Sequence, residues 1–131
     1  MSHRVCIIDD DDIYQFTTQR SLSKNPDVEK VMPFSYSIDA LRFLKESKNQ
    51  PDKLPTIILL DINMPEMDGW DFLNELRLFR EEISHNFDIY LITSSINPSD
   101  INRAKQFSEI KSYIVKPVGS EIWAKIFRNT A

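Results

Sequence analysis

Residues 56–61 read TIILLD, and the eight that follow, residues 62–69, read INMPEMDG. Four apolar residues in a row show no alternation, so this run reads as a strand buried on both faces, which is the pattern of a central strand in a parallel sheet. It ends on an acid, Asp61. The next residues, with Pro65 and Gly69, read as a loop. A second stretch has the same form. Residues 4–9 read RVCIID, and three more acids follow, Asp10, Asp11 and Asp12. Residues 89–93 (IYLIT) give another strand, ending in Thr93, and residues 112–115 another, ending before Lys116 and Pro117. Residues 28–34 are rich in β-formers, but Pro33 restricts them to a short or edge strand.

Amphipathic segments separate these runs. Ile13, Phe16 and Arg20 fall at helical spacing up to the Asn25-Pro26 break. Ser37 reads as the cap of a second helix carrying Ile38, Leu41 and Leu44 and running out near Asn49. Phe72, Leu73, Leu76, Phe79 and Ile83 mark a third, and Asn97-Pro98 opens a short polar fourth that ends near Phe107. Ile122, Trp123, Ile126 and Phe127 form the apolar stripe of a fifth. Strand and helix alternate five times. The expected fold is α/β: a (βα)5 doubly wound parallel sheet of five strands, order 2-1-3-4-5, flavodoxin-like.

The bulk numbers agree. The chain has 131 residues, which fits one domain spanning 1–131 with a core over about 4–128. A net charge of −4 argues against nucleic acid as a direct partner. No apolar run is long enough for membrane insertion, and no signal peptide is visible. The single cysteine, Cys6, reads as a core hydrophobe. A cytoplasmic location is expected. His3 and His85 lack ligand-type spacing and read as surface residues. The start at Met1 and the end at Ala131, soon after the last helix, favour a single-domain protein over an excised one.

In sheets of this order, ligands bind beyond the carboxyl ends of the strands, where strands 1 and 3 diverge. Asp9, Asp10 and Asp61 should meet there, with Thr93 and Lys116 beside them. Carboxylates without histidine or cysteine favour a hard cation such as Mg²⁺. Lys116 is a point charge suited to a phosphoryl oxygen, and Thr93 can donate to another. A carboxylate that the cation does not fully engage can act as a nucleophile and form an aspartyl phosphate. Asp11 and Asp12 read as helix N-terminal charge, and Asp68 as a shaper of the loop with Gly69.

These pieces together resemble the receiver domain of two-component response regulators, over nearly the whole chain. Ile7-Ile8-Asp9-Asp10, Leu60-Asp61 followed by Met64-Pro65 and Asp68-Gly69, Ile92-Thr93-Ser94 and Lys116-Pro117 fall in the family's order at the ends of the right strands. The resemblance implies that Asp61 accepts a phosphoryl group. It implies Asp10 as a direct Mg²⁺ ligand, Asp9 as a ligand through water, and the carbonyl of Asn63 as a further ligand. It implies Thr93 and Lys116 on the phosphoryl oxygens, a cis peptide before Pro117, and Tyr113 as the aromatic that moves with Thr93 when the surface of helix 4, strand 5 and helix 5 switches. Asn63 and Ser95 would tune the lifetime of the phosphorylated state, here to an intermediate value. The implied donor is a sensor histidine kinase or a histidine phosphotransfer protein. The implied output is contact with a downstream protein target, with dimerisation on phosphorylation left open. The domain would promote only its own phosphorylation and dephosphorylation, so it is not read as an enzyme. Residues 106–111 depart from the small-residue turn common in the family.

Three other readings compete. A Mg²⁺-dependent phosphatase of the haloacid-dehalogenase type would place its nucleophile first in a D-x-D on strand 1, whereas the acids here are adjacent. A flavin module would need a glycine- and hydroxyl-rich phosphate loop where four acids stand. A pseudo-domain that only binds proteins would not need the complete set of acids, threonine and lysine.

Overall fold

The computed structural model describes residues 2–129. Met1, Thr130 and Ala131, the extremes of the expected span 1–131, lie outside the described residues. In chain order the elements are β1 (His3–Ile8), α1 (Asp12–Ser23), β2 (Val28–Phe34), α2 (Ser37–Glu46), β3 (Ile57–Leu60), α3 (Gly69–Arg77), β4 (Asp88–Thr93), α4 (Pro98–Ala104), β5 (Ile110–Val115) and α5 (Ser120–Asn129). The sheet has the order β2-β1-β3-β4-β5, every neighbouring pair parallel. The expected architecture is the observed one, and β2 is an edge strand.

Each apolar run feeds two cores, because side chains along a strand alternate between faces. Cys6, Ile8, Ile58, Leu60 and Leu91 point to the face covered by α2 and α3 through Leu44, Phe72, Leu73 and Leu76. Val5, Ile7, Ile57, Leu59 and Ile92 point to the other, covered by Leu22 of α1 and Ile126 and Phe127 of α5. Both cores are built from apolar side chains, which is why the runs carry no polar residue until their ends. Trp70 and Phe107 stack with their rings 5.5 Å apart, joining α3 to the segment after α4.

Five expectations need correction. Helix α1 forms, but it does not bury the face of Ile13 and Phe16, which are 77% and 63% exposed. It buries Gln15, Thr18 and Leu22. The start of α1 lies over strand ends that present backbone carbonyls with a lone pair left for further donors, the Phe34 carbonyl already accepting the Asp9 N–H at 3.0 Å. The Gln15 amide supplies them, reaching the carbonyls of Ile7 at 3.2 Å, Asp9 at 3.0 Å and Phe34 at 3.0 Å. His3 is not on the surface. It is buried, with Nδ1 3.1 Å from Thr56 Oγ1 and Nε2 3.2 Å from the Phe127 carbonyl, and its ring stacks on Phe127. His85 is half-buried rather than exposed, and burial first, then Arg4 and Arg80, lowers its pKa.

Ser37 does not cap α2. Tyr36 holds the cap position, and the Ser37 hydroxyl turns inward to Met64 Sδ at 3.8 Å. Helix α3 stops at Arg77, short of Phe79 and Ile83. Those two are still buried, carried inward by a 3₁₀ turn over Arg80–Glu82.

Candidate functional site

Parallel register brings the strand ends level. Ile8 pairs with Leu60 across β1 and β3, and Thr93 with Val115 across β4 and β5. The residues that follow are therefore neighbours. Asp9 and Asp61 are both buried, while Asp10 is exposed. One carboxylate oxygen from each of the three lies within 4.8 Å of the others.

The two buried carboxylates are engaged unequally. Asp9 Oδ1 accepts the Asp11 N–H at 2.9 Å, and its Oδ2 accepts Lys116 Nζ at 2.7 Å. Asp61 Oδ1 accepts the Ile62 N–H at 2.9 Å, but its Oδ2 is 3.8 Å from Lys116 Nζ. Asp9 has both oxygens in hydrogen bonds of 2.9 Å or less, whereas Asp61 Oδ2 has Lys116 Nζ only at 3.8 Å and is the less engaged oxygen. Burial pushes the Asp61 pKa up to about 6. The negative charge of Asp9 adds to the rise, and Lys116, the Ile62 N–H and the Thr93 hydroxyl oppose it.

Three acids face one lysine here. A divalent cation with oxygen ligands offsets that excess, and the donor set contains nothing softer. The carboxylates therefore fit a hard divalent cation. Cation binding must displace the proton on Asp61. Affinity for a hard divalent cation is accordingly expected to fall about tenfold per pH unit below about 6, where Asp61 protonates. Calorimetric titrations at about pH 7.5 and about pH 5 check this, and equal affinities at both would contradict it.

The remaining expected residues divide into two groups. Thr93 is fully buried, and its Oγ1 accepts the Ser95 N–H at 3.2 Å. The Tyr113 hydroxyl donates to the Ser95 carbonyl at 2.9 Å. The Ser95 hydroxyl donates to Asp100 at 2.6 Å. Thr93, Ser95 and Tyr113 thus form one chain of hydrogen bonds leading from the site to the first turn of α4. Asn63 lies exposed in the loop that leaves Asp61. The Lys116–Pro117 peptide is cis, as expected.

Asp68 caps α3 through a reciprocal pair with Asp71, and Asp11 caps α1, accepting the N–H groups of Ile13 and Tyr14 at 3.0 Å each. Both acids have the local roles expected of them. Sequence reading passed over Tyr14, whose ring centroid is 4.0 Å from Lys116 Nζ. Its position, on the first turn of a helix that starts at the acidic loop, was the available signal. Asp100 was also missed; only its place on the first turn of α4, five residues after Ser95, hinted at it.

The family model described as response regulator receiver domain matches residues 5–127. The sensor histidine kinase CheAY of Helicobacter pylori is 31% identical over 93 residues, covering 71% of this chain and 11% of that protein. The chain spans about half or less of the length of the first curated relatives it matches. The crystal structure of a two-component response regulator from Cytophaga hutchinsonii superimposes with a TM-score of 0.86 at 25% identity, covering 99% of this chain and 96% of that one. The receiver domain of the histidine kinase CKI1 from Arabidopsis thaliana, complexed with Mg²⁺ and BeF3⁻, superimposes with a TM-score of 0.80 at 22% identity over 96% of this chain and 89% of that one.

Proposed function

The chain belongs to the response regulator receiver domain family, and from that premise we propose that it takes a phosphoryl group onto Asp61 in a Mg²⁺-dependent reaction with a phosphohistidine donor. The observation that carries this is the loosely held Oδ2 of Asp61, 3.8 Å from Lys116, beside an Asp9 with both oxygens in short hydrogen bonds. It also favours Asp61 over Asp9 as nucleophile, against the phosphatase reading, in which the first acid of strand 1 attacks.

In the proposed step Asp61 Oδ2 attacks phosphorus, the P–N bond to the donor imidazole breaks, and the imidazole nitrogen keeps the electron pair. A mixed carboxylic–phosphoric anhydride remains on Asp61. Asp9 and Asp10, with Asp61 and the Asn63 carbonyl, would hold the cation, which neutralises charge on the phosphoryl oxygens. Lys116 and Thr93 donate to those oxygens. If Thr93 moves toward the phosphoryl group, its bond from the Ser95 N–H strains, and through Ser95 so do the contacts of Tyr113 and Asp100. That route leads to α4, β5 and α5, the surface proposed to meet a downstream protein or a second copy. Asn63 and Ser95 are both small and polar and leave water access, consistent with an intermediate lifetime.

The proposed donor is a sensor histidine kinase or a histidine phosphotransfer protein, to which the exposed Ile13 and Phe16 beside the acidic loop offer apolar contact. The domain would catalyse only its own phosphorylation and dephosphorylation, in the cytoplasm. No helix among the described residues is long and apolar enough to cross a membrane.

The test is intact-mass analysis after incubation with acetyl phosphate, with Mg²⁺ or with chelator. A phosphoryl adduct that requires Mg²⁺ and is removed by hydroxylamine, as an acyl phosphate is, supports the reading. An absent or hydroxylamine-resistant adduct refutes it.

A further inference from the structure

Among the described residues, Lys116 has its ammonium beside Asp9 at 2.7 Å, Asp61 at 3.8 Å and, third, the face of Tyr14 at 4.0 Å. The first two are carboxylates of the cation site. The third is not. We propose that the Tyr14 ring is a positioning element for Lys116, keeping its ammonium at Asp61 when a divalent cation takes over the Asp9 carboxylate. This deepens the phosphoryl-acceptor reading and rests on it.

The lysine stem is long and flexible, and its charge goes to whatever partner holds it. In the cation-free site that partner is Asp9. A cation at Asp9 competes for the same negative charge, so the strongest hold on Lys116 weakens when the lysine is needed at the phosphoryl group. The quadrupole of an aromatic ring is not consumed by that cation, and the ring contacts the ammonium rather than the acids. Tyr14 is itself fixed. Its N–H is bonded to Asp11 Oδ1, the Asp11 N–H is bonded to Asp9, and its half-buried ring packs against the core between α1 and α5. The alternative place for the ammonium is a groove that Lys116 and Tyr14 border together with Thr17, Ser21, Pro117 and Trp123. With the ring gone, the lysine is free to relax into that groove. The Tyr14 hydroxyl is buried and makes no hydrogen bond of normal geometry, so the role belongs to the ring.

The experiment compares wild type with Tyr14→Phe and Tyr14→Met, and Tyr14→Leu as a second non-aromatic variant. The first readout, taken without Mg²⁺, is the ring-current shift of the Lys116 ε-methylene in a ¹³C-lysine sample. The upfield shift is expected in wild type and Tyr14→Phe and lost in Tyr14→Met. The second is the initial rate of adduct formation with acetyl phosphate and Mg²⁺. A desolvated cation–π contact predicts a loss of about 2- to 30-fold in Tyr14→Met, and near-wild-type rates in Tyr14→Phe. Mg²⁺ affinity should not change in either. The proposal is overturned if wild type shows no upfield shift, if Tyr14→Met reacts at the wild-type rate, or if Tyr14→Phe loses as much as Tyr14→Met. The wild-type shift decides even if both non-aromatic variants fail to fold. An absent adduct on wild type would bring down the acceptor reading, and the role of Tyr14 with it. A normal adduct without the ring-current shift brings down the role of Tyr14 alone.

Discussion

Asp61→Asn is expected to form no hydroxylamine-labile adduct, with a rate at least about a thousandfold below wild type, as loss of a nucleophile requires. The amide keeps the size and the bond from the Ile62 N–H but lacks the charge that the proposed attack on phosphorus needs. Asp9 is poorly placed to substitute, because Lys116 and the Asp11 N–H occupy both its oxygens. The same substitution should make the cation-free fold more stable at neutral pH. Folding raises the Asp61 pKa from 3.8 to about 6. The stability linked to its proton is therefore fully present below the unfolded value and is lost as pH rises through about 6. At pH 7 wild type has lost it, whereas the asparagine variant never carries the charge. The expected gain is ~1–3 kcal/mol at pH 7, shrinking to nothing toward about pH 4. Chemical denaturation without Mg²⁺ reads it. A variant that is inactive and less stable than wild type at pH 7 would mean that the Asp61 charge is welcome in the empty site, contrary to its burial.

The sheet and the centre of the site were legible because one physical demand wrote both. Strands buried on two faces must be apolar until they end, so the first polar residue after each run marks the rim of the sheet. Asp9, Asp61 and Thr93 stand out for that reason, as does Lys116. The helices were less legible, since their phase depends on what they cover. Ile13 and Phe16 have helical spacing, but α1 covers strand ends that present backbone carbonyls, and the polar Gln15 is the residue that fits there. His3 lies at the start of the chain, and nothing local shows that Thr56 and Phe127, far away in sequence, will accept its ring. Tyr14 escaped for the same reason: its partner is Lys116, which lies 102 positions later. The loop after β3 is legible from its proline and glycine, but which residue takes the left-handed conformation is not. The described non-glycine residue with positive φ is Glu66, at 67°, while no glycine has positive φ. Gly69 is there for another reason.

That reason gives a stability expectation opposite to helix propensity. Gly69 is the first residue of α3, and replacing a helical glycine by alanine ordinarily stabilises by roughly 0.5–1 kcal/mol. Here a Cβ would lie 2.5 Å from the Asp61 carbonyl oxygen and 2.9 Å from Ile62 Cα. Both are backbone atoms, so no side chain can swing aside. The helix start has little freedom to retreat. The Gly69 N–H is bonded to the Ile62 carbonyl at 2.8 Å, the Asp68–Asp71 capping pair fixes the turn, and Trp70 is buried against Phe107. Gly69→Ala is therefore expected to cost ~1–3 kcal/mol, the range for overpacking a filled site. Relief would come from moving the end of β3, which carries Asp61, and a shift approaching 1 Å at a reacting group costs on the order of a hundredfold in rate. Adduct formation should fall with stability, at a Mg²⁺ and donor concentration where wild type reacts fully. Gly119→Ala is the control, since among the described residues beyond its two chain neighbours nothing lies within 4 Å of the added methyl, and its effect should stay within about 0.5 kcal/mol. Urea denaturation of the two variants separates close approach from propensity. If Gly69→Ala matches or exceeds wild type in stability while Gly119→Ala is neutral, the contact between α3 and the Asp61 backbone is looser than the geometry requires, and positioning of Asp61 by that helix start would have to be given up.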